Sequence, residues 1–390
     1  MKTINNNSNQ SNQSIKQFKN QNTMKTTKSS DYWRTKITIL AAMFFIATIS
    51  SYATVRTVSN DPAGGSQFNS LQSAYDAAVN GDTLLLAGTN ITYNITGCNQ
   101  HWSKALTVIG IGFNPQKQNA KRSMIGNTAC QCGHFFLGSG ASGSKFYGIE
   151  FSATGCNEHV FFQGAISNVL FESCKFAIGI NFGNQTTSNI AFRNCIFDWN
   201  NNGVMHMGGG GNVVSNVLIS NCVFDGYIEG NGNPFVTMII DHCIFLDGTF
   251  SNLHYATITN NIFMNSFPGG TGNSTYLNNI CRVAGTFPPA ALGGNTGSGN
   301  INATDPLLVS VPASTFYSTS HDYHLQAGSP AIGTAADATD IGVHGGTSLF
   351  SEQGEVLINP IMRQVIINNA TVAPNGTLNV NIVATKPDDN

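Results

Sequence analysis

Three carboxylates recur at nearly the same point of a repeated phrase. Asp198 and Asp225 each stand three residues past a cysteine, and Asp247 stands four past another. Acids that return once per repeat form a file. Such a file can hold a calcium ion, or it can divide acid and base between two carboxyls as glycoside hydrolysis requires. It can equally consist of turn acids that accept hydrogen bonds from neighbouring backbone amides. Two longer loops follow, at 199–212 and 227–233, and loops standing off a rigid scaffold are where function concentrates. They bring His206 and Glu229, which join Asp198 and Asp225 as candidate catalytic groups. Trp199 and Tyr227 could stack on sugar rings while Asn201 and Asn231 supply hydrogen bonds. The plainer alternative makes Trp199 a cover for the flank, His206 an ordinary loop residue and the glycines of 208–211 a flexible connection. No cofactor is required on this reading, and calcium on Asp198, Asp225 and Asp247 is the metal the file could take.

Removing a proton beside a uronate carboxylate needs calcium on stacked acids, or Arg and Lys projecting from one face. Between residues 146 and 300 the only lysines and arginines are Lys175, Arg193 and Arg282. Glu172 and Arg193 occupy equivalent positions of consecutive repeats, which predicts a surface ion pair rather than a catalyst.

The elements that must carry these groups follow from the repeat itself. Its copies run over 167–176, 188–197, 215–224 and 236–245, each with a cysteine followed two places later by Phe. Two degenerate copies put Asn261 and Asn279 where the cysteine stood, and the steps from 174 to 279 are 21, 27, 21, 18 and 18 residues. A repeat of this length marks a solenoid built from one supersecondary unit. The residues five and three places before the cysteine are apolar: Val169 and Phe171, Ile190 and Phe192, Val217 and Ile219, Met238 and Ile240. Alternation makes these two columns point inward together. Gly, Asn, Ser and Thr between copies make tight turns. The prediction is an all-β, single-stranded parallel β-helix. Cys174, Cys195, Cys222 and Cys243 would stack at one buried turn, continued by Asn261 and Asn279, with a Phe file beyond. The outward column Leu170, Ala191, Leu218 and Ile239 is also apolar and predicts a cover.

The N-terminus reads as an export signal. A polar stretch precedes an apolar run from 37 to 52, flanked by Arg34 and Lys36 and closed by small residues. The run is too short for a membrane span, and no integral span is expected once it is cleaved. Met24 is an alternative start to Met1. After cleavage at Ala53 the remaining 337 residues hold 11 bases and 19 acids, a formal net of −8. Charged residues are 10% of the chain against a usual quarter. Neither figure suits a nucleic-acid binder, which wants a basic face. Cys98, Cys130, Cys132 and Cys156 lie outside the stacked file and could form disulfides in an oxidising compartment, with connectivity open.

Two end motifs add a resemblance. Residues 68–78 read as a short amphipathic helix, followed by a turn at Asn80-Gly81-Asp82, a buried strand at 83–86 and the strand-like run 104–112. Near the other end come Asp322-Tyr323-His324-Leu325-Gln326-Ala327-Gly328-Ser329-Pro330-Ala331 and Asp340-Ile341-Gly342. Over roughly residues 55–346 this resembles the pectin-lyase-like right-handed parallel β-helix superfamily. The resemblance implies a helix capping the solenoid, and it implies no single activity, since that superfold hosts many. The six residues 240–245 are similar to a pectate lyase phrase, without the acids and the Arg phrase expected beside it. The domain reading is a leader and signal at 1–53, the β-helix at 54–349 and a small C-terminal β module at 350–390. The functional reading is a secreted or cell-surface protein that engages polysaccharide or cell-surface glycan through one face and its loops. The alternatives are a polysaccharide lyase or glycoside hydrolase, and a structural or adhesive surface protein.

Overall fold

The computed structural model describes residues 53–94, 101–114, 121–127, 134–153, 159–198, 204–209, 211–234, 236–312, 316–347, 350–354, 361–367 and 380–385. Each copy of the repeat forms a long strand and a short strand joined at a sharp corner. The long ones include Ile166–Glu172, Thr187–Arg193, Val214–Ser220 and Val236–Asp241. The short ones include Lys175–Phe176, Ile196–Asp198, Val223–Asp225 and Ile244–Asp247. At every corner one residue takes a left-handed backbone: Ser173, Asn194, Asn221, His242, Asn260 and Asn278, with φ between 51° and 57°. Asn visits that region more readily than other side-chain-bearing residues because its short amide can bond locally. This is why the corner position, just before the file of cysteines and its asparagine continuation, is Asn in four of these six coils.

A third strand completes each coil: Gly179–Asn181, Met205–His206, Ile228–Glu229 and Phe250–Ser251. Stacked coils give three parallel sheets of eleven, nine and seven strands. The chain is a parallel β-helix, wound in the right-handed sense that parallel crossovers take. The register aligns Val169 with Ile190 and Ile190 with Val217 on successive coils, so like residues stack on like. Phe176, Phe197, Phe224, Phe245 and Phe263 stack with ring centroids 4.4–5.0 Å apart. Phe146, Phe171 and Phe192 form a second stack at 5.0 and 5.2 Å, and the two files meet edge to face. Both geometries are the favourable ones for aromatic rings.

The file at the corner carries the interior's polar bonds. Cys174, Cys195, Cys222 and Cys243 are buried free thiols. The Cys195, Cys222 and Cys243 thiols donate to the carbonyls of Arg193, Ser220 and Asp241 at 3.1–3.3 Å. The amides of Asn261 and Asn279 take over: Asn261 Nδ2 donates to Asn279 Oδ1 at 3.0 Å, and Asn279 Nδ2 to Asn300 Oδ1 at 2.9 Å. Asn300 thus extends the file one coil beyond the sequence reading. At the opposite end the helix Leu71–Ala77, capped by Ser70, sinks Leu71, Ala74 and Tyr75 into the main core, where Tyr75 meets Trp102 at 4.6 Å. Buried Asp82 pins the first turn by accepting from Thr54 N and Val79 N and pairing with Arg56.

A second apolar core lies outside the solenoid. Ile196, Val223, Ile244, Ile262 and Ile280 face outward from the nine-stranded sheet, and residues from 308 to 350 cover them with Leu308, Tyr323, Ala331, Ile341, Val343 and Phe350. The left-handed corners clasp this cover. Asn221 Nδ2 donates to the carbonyls of Val343 and Gly345 at 2.9 and 2.8 Å. Asn260 Oδ1 accepts from Ala336 N, and Asn278 Nδ2 donates to Thr334 O. His242 Nε2 lies 3.2 Å from Thr339 Oγ1.

This cover lies on the sheet next to the outward column Leu170, Ala191, Leu218 and Ile239, of which the first three are half-buried and Ile239 is 45% exposed. The apolar residues just after the cysteine column give the covered sheet its strip, with the bonding corners beside it. At the C-terminus a small β module was expected at 350–390. The described residues of it include one antiparallel pair, Ile361–Ile367 with Val380–Thr385.

Candidate functional site

The third strand of each coil is short, and its side chains alternate strictly. Val160, Ile180, Met205 and Ile228 point into the core. Their neighbours point out, and the register sets them in a line: Phe136, Phe161, Asn181, His206, Glu229 and Ser251. Rungs of a sheet are about 4.8 Å apart, so the line is a regular ladder of one aromatic half and one polar half. Phe136 and Phe161 lie 5.6 Å apart, with the His134 ring 5.3 and 5.6 Å from them. His159 stands 5.3 Å from His134 and 5.6 Å from His206, bridging the two halves. Ser251 is exposed, and the other side chains named here are half-buried. Burial holds the His134 imidazole below its ordinary pKa.

His206 and Glu229 are brought together by pairing of adjacent rungs, with Nδ1 and Oε2 2.6 Å apart. Their side chains are 22% and 37% exposed, so an incoming hydroxyl can reach the pair. A carboxylate against one ring nitrogen fixes the imidazole's orientation and tautomer, leaving Nε2 to bind or to exchange a proton. Tyr227 is 50% exposed beside this ladder in sequence. Asn231 has a left-handed backbone and donates from Nδ2 to Gly208 O at 3.3 Å, tying the two loops together. Trp199 and Asn201 lie outside the described residues, as do Cys98, Cys130, Cys132 and Cys156.

The acid file is a separate place. Asp198 and Asp225 are register partners, and Asp247 follows across a bulge, but they line the nine-stranded sheet at the edge of the cover. Asp198 pairs with Lys175 at 2.8 Å, and the Lys175 ammonium sits 5.0 Å over the Tyr317 ring. Asp247 Oδ1 accepts from Ser266 Oγ at 3.2 Å. Asp225 is buried, and its Oδ2 accepts from Tyr317 N at 2.8 Å. Its Oδ1 has no hydrogen-bond partner among the described residues. Burial raises its pKa to about 6 against the lowering effect of the Tyr317 amide, and the Asp198 and Asp247 charges add to the rise. Glu150, one rung before Lys175, pairs with Arg122 at 2.9 Å and is also raised by burial. Asp198 and Asp225 are therefore not assembled with His206 and Glu229.

Glu172 and Arg193 are register partners. Burial raises the Glu172 carboxyl and the Arg193 charge opposes that rise, although no contact within 4 Å forms between them among the described residues. Within 240–245, His242 is buried at a corner, its Nδ1 3.0 Å from Asp241 Oδ2; its work is structural. Reading the sequence missed Phe136, Phe161, His134, His159 and Asn181. The signal was there as apolar–polar pairs at 160–161, 180–181, 205–206 and 228–229, but two-residue strands carry too few positions to be aligned by eye.

No helix among the described residues is long and apolar enough to cross a membrane. No protein-family model and no curated protein matches the chain. Among solved structures it is similar to the crystal structure of the pectate lyase Pel9A, at 13% identity and TM-score 0.44, over 76% of this chain and 97% of that one.

Proposed function

We propose that this chain is an exported protein that holds a polysaccharide along the outer face of its seven-stranded sheet. The observation that carries the reading is the outward ladder of Phe136, Phe161, Asn181, His206 and Glu229. Aromatic rungs offer flat apolar faces to sugar rings, and the amide, imidazole and carboxylate rungs offer hydrogen bonds to hydroxyls. A periodic polymer suits a periodic surface. The acidic balance of the chain after residue 53 favours a neutral or cationic glycan over a polyanion.

The second reading is an enzyme, and the His206–Glu229 contact is what favours it. One experiment separates the two. Purified protein is incubated with a polysaccharide panel with and without calcium, following reducing ends and the absorbance of unsaturated ends, and is run in parallel on glycan-containing affinity gels. Retardation by one glycan without new ends, weakened at least tenfold by Phe161→Ala, is the expected result. New ends abolished by Glu229→Gln would establish the enzyme. No retention across the panel, or retention untouched by Phe161→Ala, would refute the face.

A further inference from the structure

We propose that His324, His344 and Glu352 form a binding site for a divalent transition-metal cation of the zinc type on the C-terminal cover. His324 comes from the strand Asp322–Leu325, His344 from the turns after the closing phrase, and Glu352 from beyond Phe350. One donor atom from each meets the other two within 4.8 Å. His344 Nε2 is 3.2 Å from Glu352 Oε1, and His324 Nδ1 is 3.9 Å from the same oxygen. Metal–ligand bonds of about 2.0–2.2 Å place tetrahedral donors roughly 3.3 Å apart, so small side-chain adjustments bring all three to one ion. The 3.9 Å separation is too long for a hydrogen bond, so His324 and Glu352 face one another without bonding.

The two imidazoles lie face to face with centroids 3.7 Å apart and planes 17° apart. A metal takes the neutral imidazole as its ligand. Asp322 Oδ1 sits 2.7 Å from His324 Nδ1. That nitrogen is the one facing Glu352, so with Nδ1 on the ion this carboxylate is placed to enter as a fourth ligand. Two imidazoles with carboxylate suit zinc, copper or nickel, whereas calcium takes oxygen donors. The site is open to solvent on one side: the His324 and Asp322 side chains are 40% and 36% exposed, those of His344 and Glu352 14% and 13%. The three ligands span residues 324 to 352, so a bound ion would cross-link the cover to itself independently of any glycan on the opposite sheet.

The test uses the full chain without a polyhistidine tag, dialysed against chelator and titrated with zinc by calorimetry, with melting followed in parallel. One equivalent is expected to bind. At a hundredfold excess over Kd the melting temperature should rise by about 5 °C. His344→Ala should remove that equivalent. Glu352→Gln keeps an acceptor for His344 but loses the anionic ligand, and should weaken binding at least tenfold even if His344→Ala were poorly folded. Absence of tight zinc binding, or an equivalent that survives both substitutions, would overturn the proposal.

Discussion

Asp225 offers a sharp test of how the cover and the solenoid fit together. Its carboxyl is raised from 3.8 to about 6 by burial under Tyr317. At about 1.4 kcal/mol per tenfold change, ionising it in place costs the folded protein about 3 kcal/mol. The sign follows from the raised value. Below pH 4 both folded and unfolded chains hold the proton and the cost is absent. It grows as pH rises from about 4 to about 6, and is complete above that. Asp225→Asn removes the charge and keeps an oxygen to accept from Tyr317 N, but places an amide where Oδ1 has no partner among the described residues. That mismatch costs about 1–3 kcal/mol and does not depend on pH. The absolute effect at neutral pH is therefore small, while the pH-dependence of the difference is large. Urea unfolding of wild type and Asp225→Asn in EDTA, at half-unit steps from pH 4 to 8, should show the variant gaining about 3 kcal/mol relative to wild type across the window. Taking the difference cancels the titrating groups that do not couple to Asp225, leaving Asp198 and Asp247 as its charged neighbours. Parallel profiles, or a variant that loses ground as pH rises, would refute a buried, charge-disfavouring Asp225.

Three further outcomes are expected. Phe224→Ala opens the aromatic file between partners at 4.4 and 4.8 Å and should cost roughly 3–5 kcal/mol in urea unfolding. Asn221→Ala loses both the left-handed corner preference and two bonds to the cover, about 2–4 kcal/mol; Asn221→Gly restores the backbone alone and should recover about 1 kcal/mol of that. The thiols of Cys174, Cys195 and Cys222 are pushed well up by burial. Peptide mapping after alkylation of native protein should find them unmodified, and labelled only once urea unfolds the chain; labelling under native conditions would contradict the buried file.

The architecture was legible because a solenoid writes its geometry in one dimension. Contacts fall between positions one coil apart, so the spacing of Cys174, Cys195, Cys222 and Cys243 already contained the stacking, and Val169 with Phe171 already contained the inward face. The corner asparagines belong to this class too, since a left-handed residue is a local requirement and Asn meets it locally. What sequence did not contain is which outward strip the segment from 308 to 350 covers. Leu170, Ala191, Leu218 and Ile239 look as apolar as the isoleucines after the cysteines, yet the tail chose the latter. That choice depends on bonds from Asn221, His242 and Asn260 to residues about 75 to 125 positions away, which no local pattern encodes. The same holds for chemistry. Asp198, Asp225, His206 and Glu229 share a stretch of sequence but divide between two sheets, because the chain turns a corner between each acid and the loop after it. Only the tertiary winding decided that His206 meets Glu229 and that Asp225 meets Tyr317.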